Sequence, residues 1–391
     1  MLKKAEAHAG ISWKVAVCAV LFLAGLTVVF TGVPQARAAR PLAGNAEGTA
    51  SNARSVGNAT TMAADPSGYH MIHTFKIGGD TFWDYMAMDT AHRHLFVSHG
   101  DHVVVMNADT GEVVGEIPNT QGVHGIAIAD SLDRGFVSDG GANQVTIFNL
   151  TTLKTIGTVK VTGHDPDCII YDPASQRVFT FNGGSNNSTA IDARTGKVLG
   201  TIALGGRPEY AVADGEGHVY NNIESKSEQV EIDSHTLKIT KRWPLAPCSS
   251  PSGLAMDTQH RRLITGCHDN MMAIVNPDTA KVVATVPIGP GVDACRFDPG
   301  TQTAFCSSGG DGGMLTVVHE DSPNHFTFVA HVKTEPGART MALDLKTHNV
   351  FTDTASFGPM PAAPAGGARG GRRFRRPPMI PGSFRVLELA P

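Results

Sequence analysis

Short apolar runs recur along the chain, each ending in an aspartate: WDYMAMD (83–89), HGIAIAD (124–130), DCIIYD (167–172), EYAVAD (209–214), PSGLAMD (251–257), VDACRFD (292–298) and RTMALD (339–344). The terminal aspartates, Asp89, Asp130, Asp172, Asp214, Asp257, Asp298 and Asp344, lie 41 to 46 residues apart. After each come turn residues and a second apolar run, as in HLFVSH, RVFTFN and NVFTDT. A third run and a polar hairpin follow in most units, for example VVVMNADTGEVVGEI and MAIVNPDTAKVVATV. Each unit therefore predicts a four-stranded antiparallel meander. That content at this period is the mark of a seven-bladed β-propeller, an all-β ring whose blades cover each other's faces. The first runs are nearly continuous in apolar residues, as sheets covered on both sides require. An aspartate at the end of each run is expected to hold the following turn by accepting backbone N–H groups.

The last unit is one strand short, ending in SFRVLELA (383–390), while HMIHTFKIG (70–78) precedes the first unit without a partner. The early segment is expected to supply the missing outer strand and so close the ring. The folded domain is thus expected over 70–391. Ahead of it, Lys3, Lys4 and Lys14 precede a 16-residue apolar run from Val15 to Phe30, followed by Ala36-Arg37-Ala38. Basic start, apolar middle and A-x-A end predict a signal peptide over 1–38 and a periplasmic or extracellular address. The run is short for a membrane span and no second one follows, so no transmembrane segment is expected after cleavage. Residues 39–69 are small and polar and read as a flexible linker.

Units such as FVSHGDHVVVMNADTGEVVGEI (96–117) resemble the YVTN family of β-propeller repeats, and 70–391 as a whole is similar to secreted bacterial YncE-type propellers. The resemblance implies a seven-bladed ring outside the cytoplasm, mostly a binding or scaffolding module, although some relatives carry haem or act as enzymes. The WD dipeptides of WD40 repeats are absent, so that propeller family fits less well.

Composition changes this picture little. The formal charge is −4, and removing 1–38 takes away four basic residues and one acidic one, giving −7. A mildly acidic protein is a poor general binder of polyanions. An exception is the insertion at 358–382 in the last blade, rich in Pro and Gly, where Arg369, Arg372, Arg373, Arg375 and Arg376 surround Phe374. It reads as a solvated loop, with contact to nucleic acid or an anionic envelope surface as the alternative.

Candidate chemistry gathers at one end of the ring. The residue five positions before each aspartate should enter the innermost strand at a mouth of the central channel; around the ring it is Asp84, Gly125, Asp167, Glu209, Ser252, Asp293 and Arg339. A turn would demand one residue type throughout, whereas this position varies among acids, small residues and a base. Loops between second and third strands should add His99, Asp101, His102, Asp139, Asn182, Glu224, His268 and Asp269, with Trp83, His124, His164 and Arg207 nearby. Convergent polar groups in a concavity suggest ligand binding, and the site expected is Asp84, His124, Asp167, Arg207, Glu209, Asp293 and Arg339. Imidazoles with carboxylates could hold a metal, but no H-x-x-x-H or similar spacing supports one, and the metal stays unknown. There is no G-x-S-x-G elbow, so no catalytic residue is assigned; lactone or ester hydrolysis rests on fold analogy alone.

Beyond the leader, five cysteines remain, and the C-x-x-C pattern of redox pairs and c-type haem is absent. Cys248 and Cys267 should meet in the fifth blade as a disulfide. Cys295 and Cys306 are expected on neighbouring strands as buried thiols, with Cys168 left over. The expectation is an exported monomeric binding or scaffold protein for an unknown small molecule or envelope protein, requiring no cofactor. A hydrolase-like or metal-dependent protein using the same mouth is the alternative.

Overall fold

The computed structural model describes residues 66–360 and 377–391. The expected signal peptide, the linker up to residue 65 and the arginines at 369–376 lie outside the described residues. Among the described residues, no helix is long and apolar enough to cross a membrane.

Seven four-stranded antiparallel sheets are arranged as blades, and six of them use four consecutive strands in order from the innermost outward. In the seventh, Met341–Leu343, Val350–Thr354 and Arg385–Ala390 are joined by His70–Lys76 as the outer strand. The fold is therefore a seven-bladed β-propeller closed by its N-terminal strand. His73 lies opposite Glu388, and its Nδ1 is 2.9 Å from the glutamate Oε2. Tyr69, in the segment expected to be linker, is already buried; its hydroxyl donates to the His348 carbonyl at 2.8 Å and its ring meets Phe305 edge-on.

Burial follows position within the blade. Second and third strands such as Arg177–Asn182 and Met271–Asn276 are covered on both faces by neighbouring blades, while the outer strand Thr155–Lys160 alternates toward solvent. The core consequently lies between blades, as where Phe96 of the first packs against Phe148 of the second with ring centroids 5.4 Å apart.

At the turn end, six of the seven repeated aspartates accept backbone N–H groups, from His92, Ser175, Glu216, Gln259, Gly300 and Lys346. Asp130 departs from the expectation, because it opens a 3-10 turn, Asp130–Leu132, and is exposed. Several of these aspartates also join blades. Asp344 receives Arg93 of the first blade at 2.7 Å, Asp214 receives Arg261 of the fifth at 3.3 Å, and Asp298 pairs with His348 of the seventh at 2.7 Å.

Both cysteine pairs are bonded. Cys248 and Cys267 have Cα atoms 5.9 Å apart. Cys295 and Cys306, expected as thiols, face each other directly in the register of the sixth blade's inner strands, with Cα atoms 4.1 Å apart, and form a second disulfide. Cys168 is a buried free thiol.

Candidate functional site at the channel mouth

The seven ring residues sit at the end of the innermost strands opposite the turns. Five of them are within the first residues of those strands rather than in the preceding loop; Asp84 and Arg339 come just before theirs. Three of them, Asp167, Ser252 and Arg339, are held through their carbonyls by the fifth residue of the second strand in the preceding blade. Ser138 donates to the Asp167 carbonyl at 2.6 Å, Asn222 to that of Ser252 at 2.8 Å, and Ser307 to that of Arg339. These clasps fix the mouth through its backbone and leave the side chains free to vary.

The site residues fall into three linked groups. The His124 Nδ1–H donates to Asp84 Oδ2 at 2.7 Å, with Asp167 Oδ1 at 3.7 Å and Asp165 Oδ1 3.5 Å from Nε2. Arg339 Nε donates to Asp293 Oδ2 at 2.7 Å and its guanidinium reaches within 3.8 Å of Asp84, while Ser252 Oγ donates to Asp293 Oδ1 at 3.1 Å. Arg207 stands 3.7 Å from Glu209 and 3.5 Å from Glu224, which also meets His268 at 3.6 Å.

Electrostatics divides them further. Burial opposes charge on His124, but its contacts with Asp165 and Asp84 and the field of Asp167 win, raising its pKa to about 11, so it is an imidazolium. Burial raises Asp167 to about 7, aided by the charge of Asp84. Glu209 is held well above the carboxylate range by burial and by the charges of Asp167 and Asp293, and its Oε2 has no hydrogen-bond partner. Asp293 is raised by burial too, with Arg339 opposing.

Below the ring, Tyr85 and Tyr210 touch with centroids 4.5 Å apart. They come from the first and fourth blades, so their contact crosses the axis and narrows the channel. Arg296 stacks on Tyr210 at 5.6 Å, and beyond lies a cavity of about 560 Å³ toward the turn end. Beside the ring is a second cavity of about 460 Å³, walled by Phe82, Trp83, Arg339, Phe357, Pro377 and Met379.

Not every residue expected at the mouth reaches it. His99, Asp139 and Asn182 are buried, because they are the last residues of the second strands His94–His99, Arg134–Asp139 and Arg177–Asn182 rather than loop residues. His99 packs on Phe384, Asp139 accepts from Thr146 and Gln144, and Asn182 binds Asn187 and Thr189. Asp101 pairs with His102, Asp269 receives Ser249, His164 is exposed, and Trp83 is a buried wall residue. Two residues absent from the sequence reading matter: Asp165, at His124, and Asp353, buried beneath the ring.

Asp353 occupies the clasp position of the last blade, where Ser138 and Asn222 donate elsewhere. Its Oδ1 accepts from Thr340 at 2.5 Å, its Oδ2 has no partner, and burial raises its pKa to about 8. A raised acid stabilises the fold fully below its unfolded pKa near 4 and loses that contribution as pH rises through about 8. Asp167, and Asp139 at about 6, act in the same sense. The melting temperature should therefore fall between pH 5 and pH 8.5, and Asp353→Asn should flatten that fall, since Asn222 already serves one clasp. An unchanged pH profile in this variant, followed by thermal unfolding, would contradict the assignment.

No family profile and no curated protein matches the chain, so the likeness to YVTN repeats stands on the repeats alone. Solved structures share the fold. A chain of the mitotic checkpoint complex is 15% identical at a TM-score of 0.61, over 80% of this chain and 95% of that one. A chain of Kuenenia stuttgartiensis hydrazine synthase is 14% identical at 0.61, over 72% and 94%. At that identity they define the class of protein, a seven-bladed β-propeller, a fold commonly used as a scaffold or binding module.

Proposed function

We propose that this protein is an exported binding module whose mouth receives a cationic head group, a ligand's amine or guanidinium or a partner protein's Lys or Arg side chain. The carrying observation is the pair Asp167 and Glu209, whose pKa values are raised by burial and of which Glu209 Oε2 makes no hydrogen bond, its cationic neighbour Arg207 standing off at 3.7 Å. His124 and Arg339 are already engaged with Asp84 and Asp293. An incoming cation would displace the protons, and the cavity beside Trp83 and Phe82 would take an apolar body attached to it. Binding should then release protons and strengthen as pH rises from about 6 to 8.

Calorimetry with arginine, spermidine and a lysine-rich peptide tests this. Saturable binding should weaken at least about tenfold in Glu209→Gln, the usual scale for a lost hydrogen bond to a charged group. Failure of all three probes, or equal binding by the variant, would sink the proposal. A hydrolytic reading predicts instead turnover of a lactone or ester that Asp167→Asn removes.

A further inference from the structure

We propose a second site, away from the mouth: Asp257, His260 and Glu320 form a three-ligand centre for a zinc-like divalent cation that joins the fifth and sixth blades. Asp257 ends the innermost strand of the fifth blade and His260 lies in the turn that follows. Glu320 comes from Met314–Ser322 in the sixth blade. His260 Nδ1 is 2.8 Å from Asp257 Oδ2 and 3.2 Å from Glu320 Oε1, and one ligand atom from each residue lies within 4.8 Å of the others.

The independent observation is Glu320. The residue is 1% exposed, yet neither carboxylate oxygen has a hydrogen-bond partner, and His260 Nδ1 has none either. A buried carboxylate without donors is costly. The same spacing occurs at Asp89 and His92, where Nδ1 makes a proper hydrogen bond of 2.8 Å to the aspartate. At His260 the distance is equal but the ring is not aimed for hydrogen bonding, and the added group is Glu320. Bonds of about 2.0–2.1 Å from zinc to N and O ligands place those ligands roughly 3.0–3.4 Å apart, close to the separations seen. His260 is 26% exposed in its side chain, which provides an entry path and room for water as a fourth ligand.

The other clusters of this composition among the described residues are less suited. At the mouth, the His124 imidazolium already serves as the cation for Asp84 and Asp167. Asp89 and His92 satisfy one another, and near Asp269 the two cysteines are spent in a disulfide. A mixed set of one imidazole and two carboxylates suits zinc, with cobalt as a visible probe.

The test is calorimetric titration of zinc chloride into chelator-treated protein at pH 7.5, with cobalt(II) absorption as a second readout. One equivalent should bind and raise the melting temperature. His260→Ala should weaken binding at least about a hundredfold and Glu320→Gln at least about tenfold. Either variant suffices if the other fails to fold. No saturable uptake, uptake retained in both variants, or uptake lost in His124→Ala instead would overturn the site.

Discussion

Deleting residues 70–76 should abolish cooperative folding. This strand pairs with Arg385–Ala390 along nearly its whole length, from His70 opposite Ala390 to Lys76 opposite Arg385. Without it the last blade loses its outer strand, and Phe75 is withdrawn from the apolar cluster it shares with Val386 and Phe384. The ring also loses the strand that ties the start of its first blade directly into its last. Domains of this kind are stable by about 5–15 kcal/mol in total, and a missing strand with its ladder of hydrogen bonds exceeds that margin. Circular dichroism should show no cooperative melt, and a melt within a few degrees of the parent would refute the closure. The contact of Arg93 with the buried Asp344 carboxylate spans the same junction, but one ion pair does not replace a strand with its ladder of hydrogen bonds.

The second large effect concerns the disulfides. Their sequence separations are 19 and 11 residues; loop-closure entropy assigns each about 3 kcal/mol. Replacing Cys248 and Cys267 by alanine, and in a second variant Cys295 and Cys306, should each lower the urea midpoint by a corresponding amount. The two losses should not be fully additive, since Cys295 and Cys306 pack directly on the fifth blade. A Cβ at Gly266 would lie 2.8 Å from the Cys295 sulfur, and one at Gly253 would lie 2.6 Å from the Cys295 backbone nitrogen. Only glycine permits that approach. Equal urea midpoints with and without reductant would show that the bridges do not contribute. Their formation suits the oxidising compartment that the N-terminal sequence suggests.

The architecture was legible because it is written seven times: one strand boundary read with confidence at Asp89 or Asp257 fixes the others. The ring position was legible for the same reason, since a site that varies where its neighbours repeat stands out. What escaped depends on register and on side-chain contacts, within units as well as between them. The pattern of the sixth blade places Cys295 and Cys306 on facing strands, but only the register shows them directly opposite. His99, Asp139 and Asn182 follow the loop pattern, yet the second strands run on to include them and bury them within the blades. Asp353 could have been found by aligning the second runs of the seven units, where its position is held by Ser98, Ser138, Phe181, Asn222, Gly266 and Ser307 and by no other acid. Glu320 could not, because the two strands Met314–Ser322 and His325–Lys333 are longer than their counterparts and carry it beyond the repeat to meet the fifth blade.

Closure by the first strand has a temporal consequence. A ribosome adds His73 to the chain 315 residues before its partner Glu388. Throughout synthesis the first strand is an unpaired edge, open to pairing with other chains. The six complete blades can stack as they appear, but the ring stays an open arc until the final strand arrives. A nascent chain arrested anywhere before Arg385 is thus an aggregation hazard rather than a smaller propeller, and escape from that hazard depends on how fast the tail is delivered.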